Sequence, residues 1–507
     1  MSEKRAVIET EPLLSPDSVG GYPELMLEGD VRAASRSGNI VDSSFSDVKR
    51  ENDDPKEADT TYGLAPAERN HQHATSNMET MIHLLKGNIG TGVQAMPDAL
   101  SNSGLVLGSV GVVAMGVVCI HCMHMLVMAC HTLCSRLRVS TLDYADVAYH
   151  GFRTTAGPDR LRNLARCSRR IVNAFLVLTQ IGFCCVYYVV HPLIRSFQFS
   201  IFQLTGDSWS VHTWLMVLFV PFCLLSLVRN LKLLSPISMT ANILQAGGTT
   251  VIFYYLLRDL QPVSSRKWVA PVRQWPLYFG TAIYAFEGIG IVLPLENKMK
   301  RPADFVGCTG VLNTGMVLVT CLYTAMGFFG YLQYGDDVKG SITLNLPAGD
   351  PWAAGVQIAM TVAIFLSYAL QMYVPIEILW PQVKNALPLS YSSTRYEILA
   401  DYAFRIGLVL LTFALAALVP NVGLFISLVG AVSSSFLALV FPPMLDCVVF
   451  WSQLTWVRVT KNVAISLLGV LGFITGTYAS LEQVFIHLGP GSGPVPIPPI
   501  VANSTFT

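Results

Sequence analysis

From Met78 onward the chain consists of apolar runs about 20 residues long, separated by short polar segments. A helix needs about 20 apolar residues to cross the hydrocarbon core of a bilayer at 1.5 Å per residue. Because 52% of the residues are hydrophobic and only 13% are charged, a cytosolic enzyme is excluded. The sequence predicts an all-α polytopic membrane protein with about eleven spans, numbered 1 to 11 in chain order: 78–100, 104–130, 171–194, 211–228, 235–257, 276–295, 306–332, 352–380, 404–420, 422–449 and 462–486.

Charge divides the chain into three regions. Residues 1–77 hold 15 Asp and Glu against 8 Lys and Arg and few aromatics, which predicts a disordered acidic tail. With that tail in the cytosol, the inside loops and the adjoining start of span 9 hold 18 Lys and Arg and the outside loops 6, as the positive-inside rule requires. The transporter domain is then 78–487, and the C-terminal tail, 488–507, is luminal or extracellular. Asn503 in that tail begins a glycosylation sequon.

Span 1 contains a stretch that a regular helix disfavours. Each glycine costs about 1 kcal/mol of helix stability relative to alanine, so unwinding is expected here. Unwound backbone inside a bilayer must line a cavity or be buried in protein. Taken alone, the glycines are equally consistent with close helix packing. The stretch comprises Gly87, Asn88, Ile89, Gly90, Thr91 and Gly92.

Span 6 repeats this pattern at Phe286, Glu287 and Gly288 while running in the opposite direction. Two broken helices in corresponding positions indicate a five-plus-five inverted repeat, to which span 11 is appended. In that architecture freed amides bind an anionic group and freed carbonyls bind a cation or an ammonium. The two breaks therefore predict a binding site for a zwitterion, and amino acids are the obvious class.

Two ionisable residues are candidates for proton coupling. His83 lies one helical turn before the break in span 1, and an ordinary imidazole exchanges its proton near neutral pH. Glu287 lies at the second break, where a buried carboxyl can cycle its proton. The alternative for His83 is a purely structural role. The alternatives for Glu287 are a helix cap and an ion-pair partner of Lys86. Intramembrane ionisable residues are functional candidates because they are energetically expensive.

Span 2 carries cysteines and histidines, beginning at Cys119 and His121, that suit zinc or copper as ligand types. One helix supplies only two or three of the four ligands of a closed site, so no metal is expected. Neither a phosphate loop nor a dinucleotide fingerprint is present, so no cofactor is expected. Zero net charge gives no indication of a nucleic-acid partner.

The motifs around both breaks resemble those of the proton-coupled amino acid transporters, within the amino acid/auxin carrier group. The resemblance covers about 78–487. It implies eleven spans, a cytosolic N-terminus, proton symport of small amino acids such as proline, glycine and alanine, and an essential histidine at His83. The residues that carry it are Met81–Gly92, Phe286–Gly290, Leu293–Lys300, Ser341–Pro347 and Ser427–Ser435.

Two functions remain open. The first is a symporter; the second is an amino acid sensor that signals with little net transport. A channel is disfavoured because no ring of pore-lining charge is visible. The acidic dileucine motif of Glu9, Leu13 and Leu14 resembles signals read by adaptor complexes, so the lysosomal or late endosomal membrane is favoured and the plasma membrane is the alternative.

Overall fold

A computed structural model of the chain describes residues 74–189, 211–229, 231–258, 260–347, 350–386, 394–418 and 421–488. Regular structure within these residues is helical, apart from one isolated parallel bridge between Thr75 and Met299. The apolar runs that are long enough to cross a membrane are therefore helical, and the all-α class predicted from the sequence is confirmed.

Eight helical segments among the described residues are long and apolar enough to cross a membrane. They coincide with predicted spans 2, 3, 6, 7, 8, 9, 10 and 11. Their side chains divide between a buried core and an exposed apolar surface, as expected for segments that face lipid on one side. The segments are Leu105–Leu137, Ala165–Tyr188, Val272–Lys298, Ala303–Asp337, Pro351–Ala386, Arg395–Leu418, Val422–Val449 and Trp456–Ile486.

The other three predicted spans are also helical. Span 4 is Val211–Ser226 and span 5 is Leu231–Leu257. Span 1 is divided into span 1a, Asn77–Asn88, and span 1b, Thr91–Ser103. Between spans 2 and 3 lie two shorter helices, Tyr144–Thr154 and Asp159–Asn163. Helices are therefore found in all eleven predicted spans.

Breaks occur where the sequence predicts them. Span 1a ends at Asn88, and Ile89 and Gly90 leave the helical conformation with ψ angles of 93° and −141°. Span 6 is likewise divided into span 6a, Trp275–Ala285, and span 6b, Ile289–Lys298. The predicted breaks in spans 1 and 6 are therefore confirmed, although each unwound stretch is only two or three residues long.

Span 10 contains a third irregularity, which the sequence did not predict. It begins and ends as α-helix, but its middle winds as π-helix. π-Helical turns are rare and are frequent at functional sites. The four segments are Val422–Val429, Gly430–Ser434, Phe436–Val440 and Phe441–Val449.

The broken helices lie at the centre of the packing. Span 1b packs against span 6a and span 7, and span 6a also packs against spans 10 and 11. Gly92 permits a close approach of spans 1b and 6a, since a Cβ there would lie 2.7 Å from Cα of Ala285. The second half of span 1 and the first half of span 6 are thus held side by side within the core. The remaining long helices are Val311–Tyr334, Pro351–Ala386, Thr394–Leu418 and Trp456–Leu488.

Candidate functional site

One tyrosine joins the two breaks. The hydroxyl of Tyr323, on span 7, lies 2.5 Å from the carbonyl oxygen of Asn88 and 2.8 Å from that of Ala285. These carbonyls belong to the last residues of spans 1a and 6a, whose helical partners are lost at the breaks. Tyr323 is 0% exposed and can donate to either oxygen. Its hydroxyl therefore links the unwound backbone of the two helices, with one proton to donate to the two carbonyls.

A second contact joins the start of span 1b to span 6a. The hydroxyls of Thr91, at the start of span 1b, and Tyr284, near the end of span 6a, lie 2.8 Å apart and share a hydrogen bond. Phe286 is fully buried and packs edge-on against the Tyr323 ring, with 5.1 Å between centroids. The two breaks are consequently parts of one site rather than separate defects.

The half-helices that follow the breaks start without side-chain caps. Gly90 precedes span 1b and Gly288 precedes span 6b, and neither start has a capping hydrogen bond from a side chain. Helix N-termini carry unsatisfied amides and a positive partial charge, which favour an anion. A Cβ at Gly90 would make no clash, since the nearest atom would be the Tyr187 hydroxyl at 3.9 Å. An anionic group of a ligand can therefore approach the backbone at this point.

Hydrogen-bond acceptors lie close to the same breaks. The side-chain amide of Asn88 donates to the carbonyl of Leu84 at 2.9 Å, while its buried Oδ1 accepts no hydrogen bond from the described residues. This amide lies directly against Gly288, where a Cβ would collide with it. Glu287 is only 9% exposed, with the hydroxyl of Ser434 beside it. Acceptors of this kind suit an ammonium or a proton.

Most of the predicted binding residues are brought together by this geometry. Seven of them lie at the breaks or on the first turns that follow: Ile89, Gly90, Thr91, Gly92, Phe286, Glu287 and Gly288. Asn88 joins them through its carbonyl and its side chain. Gly87 instead lies within span 1a, where a Cβ would meet Ile291 of span 6b, so its role in the structure is helix packing.

The two predicted proton-coupling residues occupy different environments. Glu287 is buried at the second break, whereas His83 is exposed on span 1a. The charges acting on His83 come from Lys86, Lys298 and Glu79. Lys86 thus faces His83, as its spacing on the helix predicts. His83 lies in the middle of span 1a, before the break, and only Glu287 is in the site itself.

Sequence reasoning missed Tyr323 and Tyr284. Both stand in apolar runs, where a tyrosine resembles a packing residue, and no spacing rule connects span 7 with the ends of spans 1a and 6a. It also missed a fully buried pair of His131 and Glu296, which was visible only as two ionisable residues in separate spans. These contacts depend on tertiary structure that a single sequence does not specify.

Glu9, Leu13, Leu14 and Asn503, with most of the acidic tail and the C-terminal tail, lie outside the described residues. Where the structure does describe the chain, it gathers no group of three or more His, Cys, Asp or Glu side chains able to hold a metal ion.

The helical fold and the joined breaks define a polytopic membrane carrier. The family described as transmembrane amino acid transporter protein matches residues 73–482. A proton-coupled amino acid transporter-like protein, pathetic, from Drosophila melanogaster is 36% identical over 443 residues, covering 85% of this chain and 91% of the relative. The probable amino acid transporter skat-1 from Caenorhabditis elegans is 27% identical over 380 residues, covering 71% and 80% respectively.

The chain belongs to the transmembrane amino acid transporter family. It is therefore a transporter of amino acids and not an enzyme. The assignment agrees with the site, because a zwitterion needs anion-binding and cation-binding groups a few ångströms apart.

Proposed function

We propose that the protein is a proton-coupled symporter of small neutral amino acids, of the proline, glycine and alanine class, in the lysosomal or late endosomal membrane. The Drosophila relative is named as proton-coupled amino acid transporter-like. The observation that carries the proposal is the pair of uncapped half-helix N-termini at two breaks joined by Tyr323.

The substrate carboxylate binds at these N-termini. Because Tyr323 lies on the carbonyl ends of the breaks, the amide ends are what remain for a ligand. Gly90 and Gly92 carry no side chain, so the carboxylate reaches the backbone amides directly. The ammonium then faces Oδ1 of Asn88 and the carboxyl of Glu287, across the break in span 6.

Aromatic side chains limit the size of the substrate. The Tyr187 hydroxyl faces Gly90 and accepts a hydrogen bond from Gln371 at 3.3 Å. Tyr284, on span 6a itself, and Tyr323, on span 7, lie beside the breaks, and both are buried. A side chain as small as that of alanine or proline fits among rings placed in this way, whereas a long or branched one requires them to move.

Two residues take part in proton coupling. Glu287 is positioned to carry it within the site, because a buried carboxyl beside the substrate ammonium can exchange a proton as the charge next to it changes. His83 lies on span 1a, and its exposed ring exchanges protons with water. In this scheme Glu287 couples the proton to the substrate and His83 assists its passage along the half-helices.

The proposed subcellular location is based on the N-terminal tail. Glu9, Leu13 and Leu14 form an acidic dileucine signal for an adaptor complex, in a cytosolic segment predicted to be disordered. An acidic lumen supplies the proton gradient that drives amino acids into the cytosol. Asn503 then lies on the luminal side, where glycosylation takes place. Besides the amino acid, the proton and the adaptor complex, the remaining partner of the protein is membrane lipid.

The experiment is uptake of radiolabelled proline, alanine and glycine into proteoliposomes containing the purified protein, with and without an inward acid gradient. Accumulation should be saturable and gradient-driven. Alaninamide, which lacks the carboxylate, should not compete, whereas alanine should. Binding of the amino acids without accumulation would instead support the sensor. Equal competition by alaninamide would contradict the proposed binding of the substrate carboxylate at the half-helix N-termini.

A further inference from the structure

A polar cavity lies between spans 2, 10 and 11, apart from the site at the breaks. Its volume is about 300 Å³, within the range of small-ligand sites. The end of span 10 packs here against both span 2 and the start of span 11. Two methionines of span 2 form part of the lining, and the polar side chains that line the cavity are His121, His124, Asp446, Arg458 and Lys461.

The cavity carries an excess of positive charge. Arg458 binds the carboxylate of Asp446 through two hydrogen bonds, of 2.6 Å and 2.7 Å, so these two charges balance each other. Asn462 donates to the same carboxylate at 2.7 Å. Lys461 makes no ion pair with any described residue, and its ammonium is therefore an uncompensated positive charge at the cavity. This balance of charge favours an anion as the ligand.

A hydrogen-bond donor is available beside this charge. His121 and His124 stand three residues apart on span 2 and share one helix face. His124 directs Nδ1 to the carbonyl of Ile120 at 2.9 Å. Nε2 of His121, in contrast, is buried and makes no hydrogen bond to the described residues, and the charge of Lys461 acts on the same ring. With its proton on Nε2, a neutral His121 can donate to an anion that Lys461 holds.

The cavity lies at a depth that lipid headgroups reach. Span 11 begins at Trp456, and Lys461 follows about 7.5 Å later along the helix. Trp456 and Val457 are 88% and 81% exposed, as expected of apolar side chains in the membrane interface. The loop before span 11 is one of the inside loops of the positive-inside assignment. The cavity is therefore predicted to face the cytosolic leaflet, where anionic lipids are found.

We propose that this cavity binds the headgroup of an anionic membrane phospholipid, whose phosphodiester group accepts hydrogen bonds from Lys461 and from Nε2 of His121. One negative charge on the headgroup balances the uncompensated charge of the cavity. Leu468, seven residues after Lys461 and so on the same face of span 11, is exposed, as is Leu471. The acyl chains lie against these side chains, a contact that a soluble phosphate cannot make. The bound lipid thereby joins span 11 to span 2.

The test is binding of phosphatidylglycerol to the purified protein, measured by native mass spectrometry across a lipid titration. Phosphatidylcholine has the phosphate but no net charge, and glycerol 3-phosphate has the phosphate but no acyl chains. Phosphatidylglycerol should bind at least about tenfold more tightly than either, since it alone combines a net charge with acyl chains. Equal affinity for phosphatidylcholine would overturn the role of charge. Equal affinity for glycerol 3-phosphate would show a site for a soluble anion and overturn the proposal of a lipid.

Variants locate the binding at the cavity. Lys461→Gln should weaken the affinity for phosphatidylglycerol at least about tenfold, as expected for the loss of a hydrogen bond from a charged group, whereas Lys461→Arg should retain it. Arg166→Gln removes a positive charge from an exposed position on the same predicted side and should bind as the wild type does.

Two outcomes of these variants would overturn the proposal. One is wild-type affinity in Lys461→Gln, and the other is an equal loss of affinity in Arg166→Gln. If Lys461→Gln does not fold, His121→Phe keeps a ring but removes the donor, and its unchanged affinity would overturn the proposal in the same way. Because each measurement is of lipid binding, the result does not depend on the proposed proton coupling or on the transported amino acid.

Discussion

Tyr323→Phe tests whether the joined breaks are needed for substrate binding. The substitution keeps the ring, its edge-on contact with Phe286 and its burial, and removes only the hydroxyl that lies 2.5 Å and 2.8 Å from the two freed carbonyls. Without this donor, a carbonyl at the end of span 1a or span 6a remains buried with one bond fewer. The breaks should then shift away from the geometry that presents their amides.

The size of the effect follows from the number of bonds lost. One hydroxyl has one proton, so one buried carbonyl loses its donor, at about 1–3 kcal/mol. At 1.4 kcal/mol for each factor of ten, this corresponds to about 5- to 140-fold weaker binding of proline or alanine. The loss should appear mainly in affinity, because the helices themselves remain packed.

Direct binding to purified protein in nanodiscs measures this change, with a thermal melt of the same samples. Tyr368→Phe is the matched control, since Tyr368 is also 0% exposed and its hydroxyl contacts Thr412 at 2.8 Å, away from the breaks. The control should melt earlier but bind normally. Wild-type affinity in Tyr323→Phe, together with an unchanged melt, would refute the reasoning that links Tyr323 to the site.

Three further changes have defined outcomes. Gly92→Ala places a Cβ against the backbone of span 6a and should lower stability by about 1–3 kcal/mol in a thermal melt. Gly90→Val should fold normally, because a Cβ there meets no atom closer than the Tyr187 hydroxyl at 3.9 Å, and should lose substrate binding because the valine side chain covers the backbone amides; equal melts for the two variants would contradict this. His83→Ala should reach the membrane yet lose acid-driven uptake in cells, and normal uptake would leave coupling to Glu287. Changing Leu13 and Leu14 to Ala should move a tagged protein to the cell surface by microscopy, and an unchanged distribution would mean that the motif is not used.

The parts of the fold that the sequence predicts are those set by local composition. Apolar run length determines the spans, since backbone inside lipid must form helices. Gly90 and Gly288 predict the breaks because a glycine in the middle of a helix weakens that helix. Even here the unwound stretches are shorter than the glycine-rich motifs, because neighbouring residues such as Thr91 and Ile289 rejoin a helix at once.

The contacts between spans could not be predicted in this way. Tyr323 is 235 residues from Asn88, and nothing in the local pattern of span 7 distinguishes it from a packing tyrosine. His131 and Glu296 are 165 residues apart, so their pairing depends on how spans 2 and 6b cross. The exposure of His83, one turn before the break, likewise depends on which face of span 1a the other helices cover.

The most direct test of the central claim is an experimental structure of the protein in nanodiscs with bound proline. The account predicts density for the carboxylate within hydrogen-bond distance of the backbone amides from Gly90 to Gly92, with the amino group facing Asn88 and Glu287. Proline bound away from both breaks, with protein side chains capping spans 1b and 6b in its place, would contradict it.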